Sequence, residues 1–200
     1  MKKHIETKIY HLMMNGNLWD DAPDLLFEVS HDDREFDYFS LCKGKSVSKN
    51  WPSDFVINVT GKTLVDFFYC GAYYTVISDK AKEVFEQFSQ SVEFLPVRLK
   101  HEDTQKIMPN YWVLNILEVL EVLDWENTYW IEKLIPYNEP DAYSRIIKPA
   151  LIGKLINKDV FLINVGGKVT RTVFVSNNLR RTLINANTRM GMSFGPVKIT

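Results

Sequence analysis

The chain is poor in residues that build reactive centres on their own. Its 200 residues hold two cysteines, Cys42 and Cys70, with 27 residues between them. That leaves no second pair to complete a metal set and no disulfide framework, so both read as small apolar groups. The four histidines, His4, His11, His31 and His101, all fall in the first half and never take a metal-binding His-x-x-x-His spacing. A nucleophile elbow, a P-loop and a dinucleotide fingerprint are all missing, and no metal or cofactor is implied. His31-Asp32-Asp33 could be drawn as a base beside carboxylates, but adjacent loop residues point to different places, which favours a surface role. No apolar run approaches the roughly 20 residues of a membrane span. The longest, residues 111–117, is interrupted by Asn115. The first residues are basic but lack a continuous apolar core and a small-residue cleavage site, so a cytoplasmic location is expected.

What is present is an ordinary globular composition, 46% apolar and 24% charged, carrying one stretch twice. Residues 74–99 read YTVISDKAKEVFEQFSQSVEFLPVRL, and residues 172–199 read TVFVSNNLRRTLINANTRMGMSFGPVKI. Each copy opens with an apolar strand-like run and breaks at a serine, Ser78 or Ser176, in the position of a helix N-cap. Ala81, Val84, Phe85 and Phe88 then keep helical spacing, as do Leu179, Leu183 and Ala186. Each copy closes on Phe-x-Pro-Val, with Pro96 or Pro196 marking an edge strand or a bulge. One-sided helices this short need a sheet to lie against, so a common sheet core is expected.

The remaining segments have mainly strand composition: residues 7–14, 36–41, 54–59, 63–69, 128–135 and 144–152. Asn15-Gly16 is a turn dipeptide, and residues 136–140 form a proline-bounded loop. Residues 160–165 and 168–175 flank Gly166-Gly167 as a hairpin. Polar residues 101–110 suit a loop or a poor turn of helix, and they mark a boundary between halves 1–100 and 110–200. Residues 111–117 read as a buried strand passing into a helix over 118–124, with Asn115 as the break and cap. The fold class is therefore α+β: mostly β, with two related strand-helix-strand units on a common sheet core, in a single domain of two pseudo-symmetric halves.

Charge is uneven although the total is only −1. Between positions 20 and 37, eight acids (Asp20, Asp21, Asp24, Glu28, Asp32, Asp33, Glu35 and Asp37) stand against Arg34 alone, a net of −7. Between 148 and 200, nine basic residues stand against Asp159 alone, a net of +8. The acidic stretch, with Trp19 and Trp51 as aromatic anchors, is a candidate surface for a basic partner; otherwise it is a solvated face. Arg180, Arg181 and Arg189 lie on or after a helix without interleaved exposed aromatics, which favours a solvated face over nucleic-acid binding. A small hydrolase or transferase built on the acidic carboxylates is a further alternative, and would require a concave pocket with convergent acids.

Four pieces together resemble a bacterial immunity-protein family of polymorphic toxin systems, family eleven in the usual naming. They are Phe94-Leu95-Pro96-Val97, the run from Tyr111 to Asp124, Phe174-Val175-Ser176 with its helix, and the closing Gly191-Met192-Ser193-Phe194-Gly195-Pro196-Val197. The resemblance spans residues 73–197, and the first seventy residues show no family pattern. It implies a protein without catalysis of its own that binds and neutralises a cognate toxin. It gives the matched residues, among them Pro96, Asn115, Ser176 and Pro196, structural rather than reactive roles, as the repeated stretch does for Ser78. The expected partner is a basic toxin; no membrane or nucleic acid is expected, and a homodimer is compatible with the edge strands.

Overall fold

The computed structural model describes residues 8–14, 27–31, 36–70, 74–88, 90–130, 146–188 and 191–200. The expected turn at Asn15-Gly16 and the loop at 136–140 lie outside them. In chain order the first strands are β1 (Ile9–Met14), β2 (Phe27–His31), β3 (Val56–Thr60), β4 (Phe67–Cys70), β5 (Tyr74–Ser78), β6 (Val92–His101) and β7 (Ile107–Ile116). They are followed by β8 (Val119–Leu120), β9 (Tyr129–Trp130), β10 (Ile146–Lys148), β11 (Ala150–Leu151) and β12 (Val160–Val165). The last are β13 (Lys168–Val169), β14 (Val173–Ser176), β15 (Met192–Pro196) and β16 (Lys198–Ile199). Helix α1 (Asp79–Glu86) joins β5 to β6, and α2 (Asn177–Asn185) joins β14 to β15. The described chain is thus mostly β with two α-helices.

Two six-stranded sheets carry the fold. The first runs β2-β3-β6-β7-β5-β4, antiparallel except where β3 meets β6. Its end strands β2 and β4 approach each other, so the sheet curls around its own core. The second has β1 between β14 and β15, with β12 beyond β14 and β8 parallel to β12. Lys168–Val169 and Val173–Ser176 are two parts of one hairpin arm returning along β12. The turn between β12 and β13 is made by Gly166 and Gly167, both at positive φ, 59° and 85°, where a side chain would be strained.

Strand alternation explains the long apolar runs, because both faces of each sheet are covered. Tyr111 and Val113 point into the curled first sheet with Leu95, Val97 and Val76. Leu114 and Ile116 point the other way, into a middle core shared with α1, α2, Val160, Leu162 and Val175. Phe161, Ile163 and Phe174 face a third core, against Val122, Leu123 and Leu151. The common-sheet expectation is therefore corrected: each helix crosses over its own sheet, and what the two share is the apolar layer between the sheets. Ala81, Val84 and Phe85 of α1 and Leu179 and Leu183 of α2 all enter that layer.

Three local readings also change. Residues 38–42 form a 3-10 turn rather than a strand, because Asp37 caps it by accepting from Phe39 N–H. Residues 102–106 are the tip of the β6–β7 hairpin and 107–110 begin β7, with Gln105 N–H donating to the His101 carbonyl. Residues 118–124 are extended, not helical. Their apolar pairs serve two cores at once, Ile116 and Val119 on the middle one and Leu120, Val122 and Leu123 on the third. A helix-like spacing here reflects a chain that changes sides.

Candidate functional site

The two helix starts have the same construction. The Ser78 hydroxyl accepts from Ala81 N–H at 3.2 Å, and that of Ser176 accepts from Leu179 N–H at 3.2 Å. Each serine in turn donates twice to one aspartate placed just before a strand. Ser78 donates its hydroxyl to the Asp66 carboxylate (2.7 Å) and its N–H to the Asp66 carbonyl (3.0 Å). Ser176 donates its hydroxyl to the Asp159 carboxylate and its N–H to the Asp159 carbonyl (2.8 Å). The aspartates lie 12 and 17 residues upstream of their serines, too far apart in the chain for local patterning to reveal.

Register extends the match. Pro96 and Ile77 both pair with Trp112, and Pro196 and Val175 both pair with Tyr10. Four residues after each serine, a cation lies over the rings of the two strands beside it. Lys82 Nζ is 4.1 Å from the Trp112 ring centroid and 5.7 Å from that of Phe94. Arg180 Cζ is 4.6 Å from the Tyr10 ring centroid and 5.6 Å from that of Phe194. Tyr10 comes from the far end of the chain, so no spacing around Arg180 in the sequence signals this contact.

The surroundings of the two cations differ. Lys82 pairs with Glu86 at 3.2 Å, and Asp79 accepts from the Trp112 indole N–H at 2.9 Å. The matching positions on α2 are Ile184 and Asn177, both neutral. Arg180 forms no ion pair among the described residues, and its Nε is enclosed without an acceptor.

A second feature is an open cleft of about 710 Å³, lined by Phe36, Asp37, Ser40, Lys43, Lys45 and Ser46 among others. Behind it, Glu93 on β6 holds the 45–48 segment. Its carboxylate accepts from the Ser46 hydroxyl, from Val47 N–H (3.0 Å) and from the Asn115 amide (2.8 Å). Burial works to raise the Glu93 pKa, but the hydrogen bonds from Ser46, Val47, Asn115 and Ser48 more than offset it and leave it lowered. Asn115 is therefore no helix cap. It is fully buried in β7, and its amide also donates to the Lys45 carbonyl at 2.9 Å.

Of the acidic candidates, Trp19, Asp20, Asp21, Asp24, Asp32, Asp33 and Glu35 lie outside the described residues, as does Arg189. Asp37 is exposed at the cleft, 3.5 Å from Lys43. Trp51 is turned inward: its ring meets Phe36 and Phe55 edge-on, and its indole donates to the Pro96 carbonyl at 2.9 Å. Pro96 lies within the sheet, with a register shift between Val97 and Leu99, whereas Pro196 lies on β15 at the end of its sheet path. His101 is committed to the Gly61 carbonyl (2.8 Å) and Thr104 N–H (3.3 Å), and His11 is half-buried, which lowers its pKa. Tyr69 and Tyr111 donate to the carbonyls of Leu12 and Val65, and burial pushes both phenols up to about 12. Among the described residues no cluster of histidine, cysteine or carboxylate could hold a metal ion, and no helix is long and apolar enough to cross a membrane.

Compared with known families, residues 6–199 match the immunity protein family Imm11. The chain belongs to that family. The match takes in most of the first seventy residues, where no pattern was legible, and those residues supply β1 to the second sheet. A search of curated proteins finds no match.

Proposed function

We propose that this chain is an immunity protein that binds and neutralises a cognate toxin by surface recognition, without catalysis of its own. The observation that carries the reading is the Imm11 match along nearly the whole chain. The side-chain chemistry is consistent with it: Asp66, Asp79, Glu93 and Asp159 are spent on hydrogen bonds that hold strands and helix starts together. Two related strand-helix-strand units form the frame of a single domain, and recognition falls to charged surfaces around it. The acidic residues Asp20, Asp21, Asp24, Asp32, Asp33, Glu35 and Asp37, with Trp19, contribute to the contact with a basic region of the toxin. The protein acts in the cytoplasm, and its edge strands leave room for a homodimer.

The test is capture of the toxin by the tagged chain in its native cell, together with deletion of the chain beside an intact neighbouring reading frame. Recovery of one partner protein, and growth arrest on deletion, are the expected results. A chain that captures nothing and is dispensable contradicts the reading. For the acidic contribution, charge reversal at Asp32, Asp33 and Asp37 should slow association at low salt and have less effect at high salt. Equal on-rates in both conditions would remove the acidic stretch from the interface.

A further inference from the structure

Equivalent positions in the two units make Arg180 conspicuous. In the first unit a cation over two rings is paired on its own helix with Glu86 one turn on, while Asp79 at the helix start accepts from the indole of one of those rings. In the second unit the cation and both rings are kept while both acids are replaced, by Ile184 and Asn177. As a result α1 carries three acids against two lysines, and α2 carries two arginines and no acid. Arg180 is partly exposed, held in place by Tyr10 and Phe194, with Nε shut in and lacking an acceptor among the described residues. Among the described residues no hydrogen bond or ion pair engages its terminal amino groups, which are the donors an outside group would meet. A guanidinium fixed between aromatic rings presents a planar fork that matches a carboxylate, and most of the ordering entropy of the side chain is already lost. An arginine with neighbouring aromatics is also the usual composition of a binding hot spot.

We propose that Arg180, with Tyr10 and Phe194, is the receptor for a carboxylate side chain of the cognate toxin, which supplies the charge that Glu86 supplies within the first unit. This rests on the toxin-binding reading above and names a contact within it. The site lies on α2 and beside β15, the strand at the end of the second sheet's path, so the partner's acid arrives next to an edge.

Two probes test it on the full-length chain. In the first, the toxin captured by the wild-type chain is titrated with Arg180→Gln and with Ile184→Glu, which places a carboxylate one turn from Arg180. Arg180→Gln should weaken binding by roughly 30-fold or more, mainly through faster dissociation. Ile184→Glu should also weaken binding, by internal competition, and adding it to Arg180→Gln should cost nothing further. Circular dichroism and melting curves establish that each variant is folded. In the second probe, a tetraglutamate peptide is titrated while the Arg180 Nε–Hε resonance is followed by NMR; a saturable, salt-sensitive shift is expected. Wild-type affinity in Arg180→Gln would overturn the proposal while leaving toxin binding intact. A silent Arg180 resonance would overturn the carboxylate site itself. Failure of the wild-type chain to capture any toxin would remove the named occupant, and the peptide titration would then decide whether the carboxylate site stands without it.

Discussion

The helices α1 and α2 occupy equivalent places and have opposite surface chemistry. Both start at a serine tied to an upstream aspartate, both cross one antiparallel strand, and both bury two or three apolar residues in the same layer. Equivalence of the parts that hold the backbone, with divergence of the charged parts, separates what the fold needs from what it can vary. The first unit is neutralised within itself, and the second is left positive. Among the described residues Arg180 has no ion pair and its Nε no acceptor, an arrangement that costs free energy and that stability alone does not explain.

The strongest way to challenge the equivalence is to truncate both helices where they enter the shared layer. Phe85→Ala and Leu183→Ala each remove a fully buried side chain and should cost about 2–5 kcal/mol, measured by chemical denaturation. A cost confined to one helix would mean the layer is not shared.

A subtler challenge exchanges matched residues. Gly195 faces His11 across the β1–β15 pair, as Leu95 faces Val113 across β6–β7, and a Cβ on Gly195 would overlap the His11 ring. Gly195→Leu should therefore destabilise by about 3 kcal/mol. Combining it with His11→Val recreates the first unit's pair and should recover most of the loss in melting temperature.

Smaller again are the caps. Ser78→Ala and Ser176→Ala should each cost about 1–2 kcal/mol, and by similar amounts, since each loses an N-cap and strands one aspartate. Unequal costs measured by thermal melting would sharpen the comparison by showing which aspartate depends more on its serine.

The mildest effects concern pH, and they also distinguish the two units. Glu93 has a lowered pKa when folded, so its contribution is complete above the unfolded carboxylate value and fades as pH falls through the folded one. Glu93→Gln should flatten the acid side of the stability curve below about pH 4.5. His11 is also lowered from 6.5, so the unfolded chain binds its proton first and stability declines as pH drops below that value. His11→Val should abolish that decline and leave the Glu93 limb untouched.

Much of the frame was legible because it is written locally. A serine before a helical stripe, a Gly-Gly turn between apolar arms, and proline at the end of each copy are all short-range signals. The rest depends on residues brought from afar. Asp66 and Asp159 pair with serines 12 and 17 residues away, and Tyr10 reaches Arg180 only because β1 inserts between β14 and β15. The 118–124 segment misled because one extended chain feeding two cores gives the spacing of a helix stripe. Asn115 looked like a cap because a polar residue in an apolar run usually ends an element. Here a carboxylate from the neighbouring strand accepts from its amide nitrogen within the sheet.

The comparison of the two units is tested most directly by hydrogen–deuterium exchange on the chain with and without its captured toxin. Protection that rises over α2 and β15, residues 177–196, and stays unchanged over α1, residues 79–86, is the predicted result. Protection over α1 with α2 and β15 unchanged would contradict the assignment of recognition to the unbalanced unit.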